Sequence, residues 1–482
     1  MKQNSYPFTT LPEPGVPVFP PRARRQDCTA DDDYLRHLQP WLPRQVMAYG
    51  GICLNLSDSR QPYDLDIALF VSGHPDIAID VEIDEPYEAV TLEPCHYLTC
   101  GDVYRDHLLA RHGWIVVRFA EQQLRRDAQG CAAYLLQLLQ SLVPGLPLPE
   151  GFEAAEPEPV CRWTRNESLK LAARQVSAGA PRRPVLAPSP LTDLERRCSL
   201  QVKPLPRSAE MTAKMAGFRD AGRYEQDAHI DFEPEEHIYI RDGREQMLSV
   251  SGLAAHFFER FNALQQAWQQ LQRKGIPIEE SLDKWDRLGC MACEVGTFVH
   301  AQTENYFRDG SFETDYAFEY GGQTEHVSVA REREHFLRFI EDYKINPYRQ
   351  EWPVYDAALN IAGTIDLICQ EADGTFTIYD WKRSSRVVNA QGQPIVDSFG
   401  GRMSRNGIHL PDTVFYHYCL QQNLYRYMLE TNYGIRIGGM NLVVLCADYP
   451  TYYVAQVPRM DEVISQVVGV CRTEDLGHKL LR

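Results

Sequence analysis

The sequence lacks any uninterrupted apolar run of the roughly 18 residues that a membrane-spanning helix requires. Its first residues, MKQNSYPFTT, contain no apolar signal core, so secretion is not expected. The thirteen cysteines form an odd set without the regular spacing of a disulfide framework. Together these absences predict a cytoplasmic protein with reduced thiols and no membrane association.

Positive charge is also scarce. The 49 lysines and arginines face 66 aspartates and glutamates, and the net charge of −17 excludes a uniformly basic surface. Residues 160–224 are the exception, with thirteen basic and five acidic residues and a net charge of +8. Such a segment is either a solvated linker or an electrostatic guide for phosphate backbones. In the second case the predicted nucleic-acid-binding residues are Arg182, Arg183, Arg196, Arg197, Lys203 and Arg207.

Composition and hydrophobic periodicity divide the 482 residues into four parts. In chain order these are a Pro-rich arm, a compact α/β block, a basic and partly helical linker and a larger α/β domain, over residues 1–30, 31–145, 146–228 and 229–482. Apolar runs in the first block predict strands at Tyr63–Val71, Ile77–Ile83 and Trp114–Phe119. In the larger domain they predict strands at 351–358, 361–370, 375–382 and 439–447, with a helix at 413–432.

Two apolar strands of the larger domain are each interrupted by a carboxylate. Asp366 interrupts one of them, and Asp380 interrupts the next and is followed by Lys382 on the same strand face. Burying such charges is costly unless they are paired or bound to a metal. Two carboxylates and a lysine suit a hard divalent cation and an activated water, the requirement for phosphodiester hydrolysis. A structural ion pair between Asp366 and Lys382 is the alternative.

The connection between these strands constrains the geometry. If Asp373 and Gly374 formed a two-residue hairpin turn, Asp366 and Asp380 would point to opposite faces of the sheet. Convergence of the two carboxylates therefore predicts a loop of odd length or a β-bulge in one strand.

Two helical patterns flank the carboxylates. Upstream, His300 and Glu304 lie one turn apart on one helix face, and an imidazole would favour manganese over calcium. Downstream, Gln421 and Tyr425 have the same spacing. Each pattern alone is more typical of an ordinary amphipathic helix.

Taken in order, the helical Gly-Thr-x-x-His, the Gly-Thr-x-Asp strand, the Asp-x-Lys strand and the Gln-x-x-x-Tyr helix resemble the RecB-type nucleases of the PD-(D/E)XK superfamily. That group includes the mitochondrial genome maintenance exonuclease and phage and CRISPR-associated exonucleases. The resemblance covers residues 235–450 and implies a cation, Mg²⁺ or Mn²⁺, held by His300, Asp366, Asp380 and the Trp381 carbonyl. It further implies water activation by Lys382.

The same resemblance gives Gln421 and Tyr425 a supporting or DNA-contacting role and makes Glu351 an additional acidic candidate. Some relatives carry an iron–sulfur cluster, but Cys290 and Cys293 are followed only by scattered later cysteines, so no cluster is expected here.

The first block resembles the compact PD-(D/E)XK domains related to the very-short-patch repair endonuclease. The resemblance implies a second site with Asp66 and Glu82 as ligands and Asp84 nearby. No lysine follows at the expected place, so a degenerate copy is the alternative. In that case Arg105 and Arg118 would serve on phosphates or in structure.

The resulting expectation is an α/β protein with two restriction-endonuclease-like mixed-sheet domains joined by a basic, partly helical linker. The predicted activity is metal-dependent hydrolysis of DNA, as an exonuclease on single strands or linear ends, with a helicase or another protein as a partner. A structure-specific or flap endonuclease in phage defence or repair is one alternative. A catalytically silent nucleic-acid-binding pseudonuclease is the other.

Overall fold

A computed structural model describes residues 5–19, 23–24, 29–54, 63–98, 100–149, 152, 155–177, 224–233, 238–242 and 245–481. The chain divides into two compact units. The N-terminal unit comprises Met1–Gln201 with Ala263–Lys284, and the C-terminal unit comprises Val202–Asn262 with Trp285–Arg482. The nucleic-acid-binding residues predicted between 182 and 207 lie outside the described residues.

Strands and helices alternate through much of the described chain. The strands are β1 (Ser5–Tyr6), β2 (Phe8–Thr10), β3 (Ala23–Arg24), β4 (Val46–Leu54), β5 (Tyr63–Val71), β6 (His74–Asp84), β7 (Ile115–Ala120), β8 (Val160–Cys161), β9 (Ile230–Glu233), β10 (Ile238–Arg241), β11 (Glu245–Ser249), β12 (Asp315–Tyr320), β13 (Gln323–Ser328), β14 (Pro347–Asp356), β15 (Ile361–Gln370), β16 (Phe376–Lys382), β17 (Ile437–Val444) and β18 (Tyr453–Gln456). The α-helices are α1 (Thr29–Leu38), α2 (Asp102–Arg111), α3 (Glu121–Arg126), α4 (Ala128–Leu142), α5 (Arg165–Ser177), α6 (Val250–His256), α7 (Ala263–Lys274), α8 (Ile278–Asp309), α9 (Ala330–Tyr343), α10 (Val414–Asn432), α11 (Asp461–Glu474) and α12 (Leu476–Lys479).

The N-terminal unit is built on a six-stranded mixed sheet in the order β2-β7-β6-β5-β4-β3. Strands β4, β5 and β6 are antiparallel neighbours, whereas β6 and β7 are parallel and are connected through α2. Residues 77–84 of β6 are all buried, as in a strand that is covered on both faces. Part of the Pro-rich arm, residues 8–10, pairs with β7 at the sheet edge.

The C-terminal unit repeats these strand directions in an eight-stranded sheet. Strands β14, β15 and β16 are antiparallel neighbours, and β16 and β17 are parallel and are connected through α10. Consecutive strand residues such as Leu367 and Ile368 contribute to different apolar clusters. Because side chains alternate along a strand, this sheet is buried on both faces.

The mixed α/β class predicted from the sequence is confirmed, and the boundaries of the central strands agree closely with the predicted ones. The pairing Gln370–Phe376 leaves a five-residue loop between β15 and β16, so the predicted odd loop length is confirmed. None of the described helices is both long enough and apolar enough to cross a bilayer.

Candidate metal centre

Three adjacent strands of the C-terminal sheet bring a carboxylate to the same place. Asp366 on β15 falls in register between Glu351 on β14 and Asp380 on β16. The neighbouring paired residues that define this register are Gln350–Leu367, Trp352–Ile365 and Leu367–Tyr379. Directly opposed residues on one face have Cβ atoms about 5 Å apart. The odd loop is therefore what allows the two predicted carboxylates to converge.

The sheet opens at this point. Backbone pairing between β15 and β16 ends next to Asp366, and the Trp381 amide instead donates a hydrogen bond to Asp366 Oδ2 at 2.9 Å. The Tyr425 ring lies beside Gly363, where an added Cβ would come within 2.6 Å of the Tyr425 Cε1 atom. Glycine in the Gly-Thr-x-Asp motif is thus required by the close approach of Tyr425.

His300, on α8, completes the cluster. Its Nε2 atom lies 2.9 Å from the Trp381 carbonyl oxygen and its Nδ1 atom lies 3.4 Å from Asp366 Oδ2. Burial and the charge of Lys382 lower the pKa of His300 to about 4, so the imidazole is neutral at pH 7. Because the carbonyl only accepts, the single proton resides on Nε2. The Nδ1 lone pair therefore faces a carboxylate oxygen.

Glu351, on β14, lies close to His300 and Asp366. Potential ligand atoms of His300, Glu351 and Asp366 all lie within 4.8 Å of one another. Glu351 has a φ of +42°, a left-handed conformation that costs about 1–3 kcal/mol for a residue other than glycine. Such strain persists where the surrounding structure enforces it and is concentrated at functional sites.

Asp380 and Lys382 form an ion pair beside this cluster. Burial raises the pKa of Asp380 to about 6, against the opposing effect of Lys382. Burial alone would lower the pKa of Lys382, but Asp380 and Asp366 raise it, so the lysine stays charged. The Lys382 ammonium also lies 4.3 Å from the centroid of the Tyr418 ring. The partner of Lys382 is thus Asp380, whereas the sequence suggested Asp366.

These donors fit a divalent cation. Burial raises the pKa of Asp366 as well, so the centre holds several carboxylates that are costly to ionise without an additional positive charge. The unprotonated Nδ1 atom of His300 lies 3.4 Å from Asp366 Oδ2, and a shared cation would satisfy both atoms when the carboxyl is ionised. Mixed oxygen and imidazole ligands suit Mg²⁺ or Mn²⁺.

Sequence reasoning missed one member of the site. Gln421 donates to the Tyr425 hydroxyl at 3.0 Å, whereas its neighbour Gln422 donates to Asp380 Oδ1 at 2.9 Å. Gln422 is only 1% exposed. The motif pointed to the correct helix turn, but the periodicity did not show which of the two glutamines faces the strand.

In the N-terminal unit, arginines neutralise Glu82 and Asp84, two of the three acidic residues predicted for the second site. Arg105 contacts both carboxylate oxygens of Glu82, one of them at 2.8 Å. A nitrogen of Arg118 lies 2.6 Å from an Asp84 oxygen, and two Arg118 nitrogens donate hydrogen bonds to the Asp106 carboxylate. Of the two roles considered for Arg105 and Arg118 in a degenerate copy, these contacts support the structural one.

A second group of metal-binding residue types, Asp84, His96 and Asp102, also lies in the N-terminal unit. Its charges are already compensated. Arg118 contacts Asp84, and His96 Nδ1 lies 2.9 Å from Asp102 Oδ2. Although burial alone would lower it, Asp84 and Asp102 raise the pKa of His96 to about 9. The imidazolium therefore acts as a second cation in this network.

Comparisons with known proteins add little to this geometry. No protein-family model and no curated protein matches the chain. Among solved structures, one titled "Crystal structure of SSO0001" aligns over 48% of this chain and 75% of its own length, with 11% identity and a TM-score of 0.20. A likeness at that level supports no statement about fold or function, so the functional argument depends on the site itself.

Proposed function

We propose that the C-terminal unit is a metal-dependent deoxyribonuclease that hydrolyses phosphodiester bonds. The observation that carries the proposal is the convergence of His300, Glu351 and Asp366 within 4.8 Å, beside the Asp380–Lys382 pair. The RecB-type motifs name His300, Asp366, Asp380 and Lys382, and the same resemblance makes Glu351 an additional acidic candidate. The shared strand directions of the two sheets are the support for two restriction-endonuclease-like domains.

The residues that would hold Mg²⁺ or Mn²⁺ are His300, Glu351, Asp366 and Asp380. The Trp381 carbonyl, predicted as a further ligand, accepts a hydrogen bond from His300 and so fixes the imidazole tautomer. A bound divalent cation would polarise the scissile phosphate and lower the pKa of a water molecule. The hydrogen bond from the other ring nitrogen of a histidine ligand, here to the Trp381 carbonyl, orients the imidazole and tunes its basicity.

Lys382 supplies the fixed positive charge of the site. Its ammonium group orients an attacking water through a hydrogen bond and offsets the negative charge that accumulates on the phosphate oxygens. Its raised pKa keeps it protonated at neutral pH, so it acts as an electrostatic and positioning group. Gln422 donates a hydrogen bond to Asp380 Oδ1 and so fixes the orientation of that carboxylate.

A basic loop favours a polyanionic substrate. Residues 383–410 follow Lys382 directly and carry four arginines and one aspartate, although the chain as a whole is acidic. Arg386, Arg402 and Arg405 are exposed on this loop. Because phosphate contacts supply most sequence-independent affinity for nucleic acid, the loop suits a DNA strand entering the site.

The activity is tested with linear single-stranded, linear duplex and covalently closed circular DNA in Mg²⁺, Mn²⁺ or EDTA. We expect cleavage of linear DNA that EDTA abolishes. Nicking of closed circles would favour the endonuclease alternative. DNA binding without cleavage under every condition would favour the pseudonuclease and reject the proposal.

Two neighbouring glutamines give a matched prediction. Gln422→Ala removes the hydrogen bond to Asp380 and should reduce kcat by about 10- to 100-fold, the usual effect of losing a group that orients a metal ligand. Gln421→Ala removes only the contact to Tyr425 and should cost less than about 5-fold. Steady-state cleavage of a labelled oligonucleotide measures both variants. A larger loss for Gln421→Ala would contradict the assigned roles.

A further inference from the structure

The backbone around Asp66 in the N-terminal unit repeats the backbone around Asp366. In each unit, backbone pairing of the two central strands ends one residue beyond that aspartate. Each aspartate then accepts a hydrogen bond from an amide of the next strand, Ile83 at 2.8 Å and Trp381 at 2.9 Å. The same opening of the sheet therefore occurs in both units.

The strand on the other side repeats as well. Gly51 falls in register opposite Asp66 as Glu351 does opposite Asp366. Both residues have a positive φ, +61° for Gly51 and +42° for Glu351. Glycine adopts this conformation without strain but offers no carboxylate. The N-terminal unit thus keeps the distorted backbone and lacks the side chain that would bind a cation there.

The remaining positions also correspond. Glu82 on β6 lies opposite Asp66 on β5, as Asp380 on β16 lies opposite Asp366 on β15. Two residues later, Asp84 stands where the C-terminal unit has Lys382. This replacement reverses the charge at the position of the water-orienting group.

Arg105 reaches the opening from α2. This helix connects the parallel strands β6 and β7, as α10 connects the parallel strands β16 and β17. In the C-terminal unit α10 provides Gln422 to Asp380, and in the N-terminal unit α2 provides Arg105 to Glu82. The side chain of Arg105 is 20% exposed, and its Nη2 atom lies 3.9 Å from Asp80. The guanidinium therefore places a positive charge next to both Glu82 and Asp80.

The environment of Asp80 indicates that the Arg105 guanidinium compensates the negative charge of this site only in part. Its side chain is fully buried, and neither of its oxygens has a hydrogen-bond partner among the described residues. Burial and the neighbouring charge of Glu82 raise the pKa of Asp80. A buried carboxylate whose oxygens accept no hydrogen bond is costly and is usually satisfied by a proton or a cation.

We propose that Asp66, Asp80 and Glu82 form a latent divalent-cation site that the Arg105 guanidinium fills, which keeps the N-terminal unit free of metal and catalytically silent. The guanidinium is an internal cation with a fixed position. Displacing it leaves three carboxylate groups around an opening of the same backbone shape as the C-terminal centre. Their all-oxygen character would select a hard cation such as Mg²⁺ or Mn²⁺.

The test measures Mn²⁺ binding by the full chain in an Asp380→Asn background, because this substitution weakens cation binding at the C-terminal centre. The measurement needs no enzymatic activity. Electron paramagnetic resonance of free Mn²⁺ gives the number of bound ions. We expect Arg105→Gln to bind one Mn²⁺ more than its parent, and Glu82→Gln added to it should remove that ion. Arg105→Lys retains the charge and should gain none.

Folding is followed by near-ultraviolet circular dichroism and thermal melting. We expect Mn²⁺ to raise the melting temperature of the Arg105→Gln variant in that background and not that of its parent, since a ligand stabilises the state to which it binds. If Arg105→Gln unfolds, Mn²⁺ should restore its folded spectrum. The proposal is overturned if no ion is gained, if the parent already binds it, or if Mn²⁺ fails to restore an unfolded variant. None of these results depends on whether the C-terminal unit cleaves DNA.

Discussion

Asp380→Asn should abolish most DNA cleavage while leaving the fold intact. The amide has nearly the shape of the carboxylate, but it carries no charge for a cation or for Lys382. Loss of one negative ligand beside a catalytic metal removes transition-state stabilisation, and we expect kcat to fall at least about 100-fold. Initial rates on a labelled linear oligonucleotide in Mg²⁺ and Mn²⁺ measure the effect.

The matched control is Glu82→Gln, the corresponding change in the N-terminal unit. Because Arg105 neutralises Glu82, this variant should keep cleavage within about 2-fold of the parent chain at a temperature where both are folded. Equal losses in the two variants would indicate that both units contribute to catalysis. An active Asp380→Asn enzyme would reject the assigned site.

Arg118→Met should destabilise the N-terminal unit by about 3–5 kcal/mol, the usual cost of breaking a buried ion network by removing one partner. Arg118 is fully buried and contacts Asp84 and Asp106. Methionine fills much of the volume but removes the counter-charge that Arg118 supplies to both buried carboxylates. Native-state hydrogen exchange of peptides covering residues 74–84 and 115–120 reports the free energy of opening in this unit.

Arg44→Met controls for loss of an arginine. Arg44 is exposed, and substitutions at such positions usually change stability by less than about 0.5 kcal/mol. A loss below about 1 kcal/mol for Arg118→Met would mean that the buried network does not stabilise this unit.

Strand positions and the buried carboxylates of the C-terminal sheet were predictable from the sequence for a physical reason. A buried strand interrupted by a carboxylate is rare, so Asp366 and Asp380 stand out against their apolar neighbours. The odd length of the β15–β16 loop was also predictable. Because side chains alternate along a strand, an odd or even loop length decides whether Asp366 and Asp380 lie on the same face of the sheet. Glu351 was identified only through its strand.

Other features depended on tertiary contacts that no local pattern encodes. Gln422 was missed because its neighbour Gln421 has the more regular spacing with Tyr425. In the N-terminal unit the pairing of Arg105 with Glu82 joins residues that are distant in sequence. Acidic residues occupy alternate positions 80, 82 and 84 of β6, but the sequence does not show which positive group, a metal ion or an arginine, compensates their charge.

The proposed function requires that His300, Glu351, Asp366 and Asp380 bind a divalent cation. Titration of the full-length chain with Mn²⁺, monitored by electron paramagnetic resonance, tests it most directly. The parent chain should bind Mn²⁺, and Asp366→Asn should weaken that binding by at least about 10-fold. Unchanged affinity and stoichiometry in a folded Asp366→Asn variant would contradict the account.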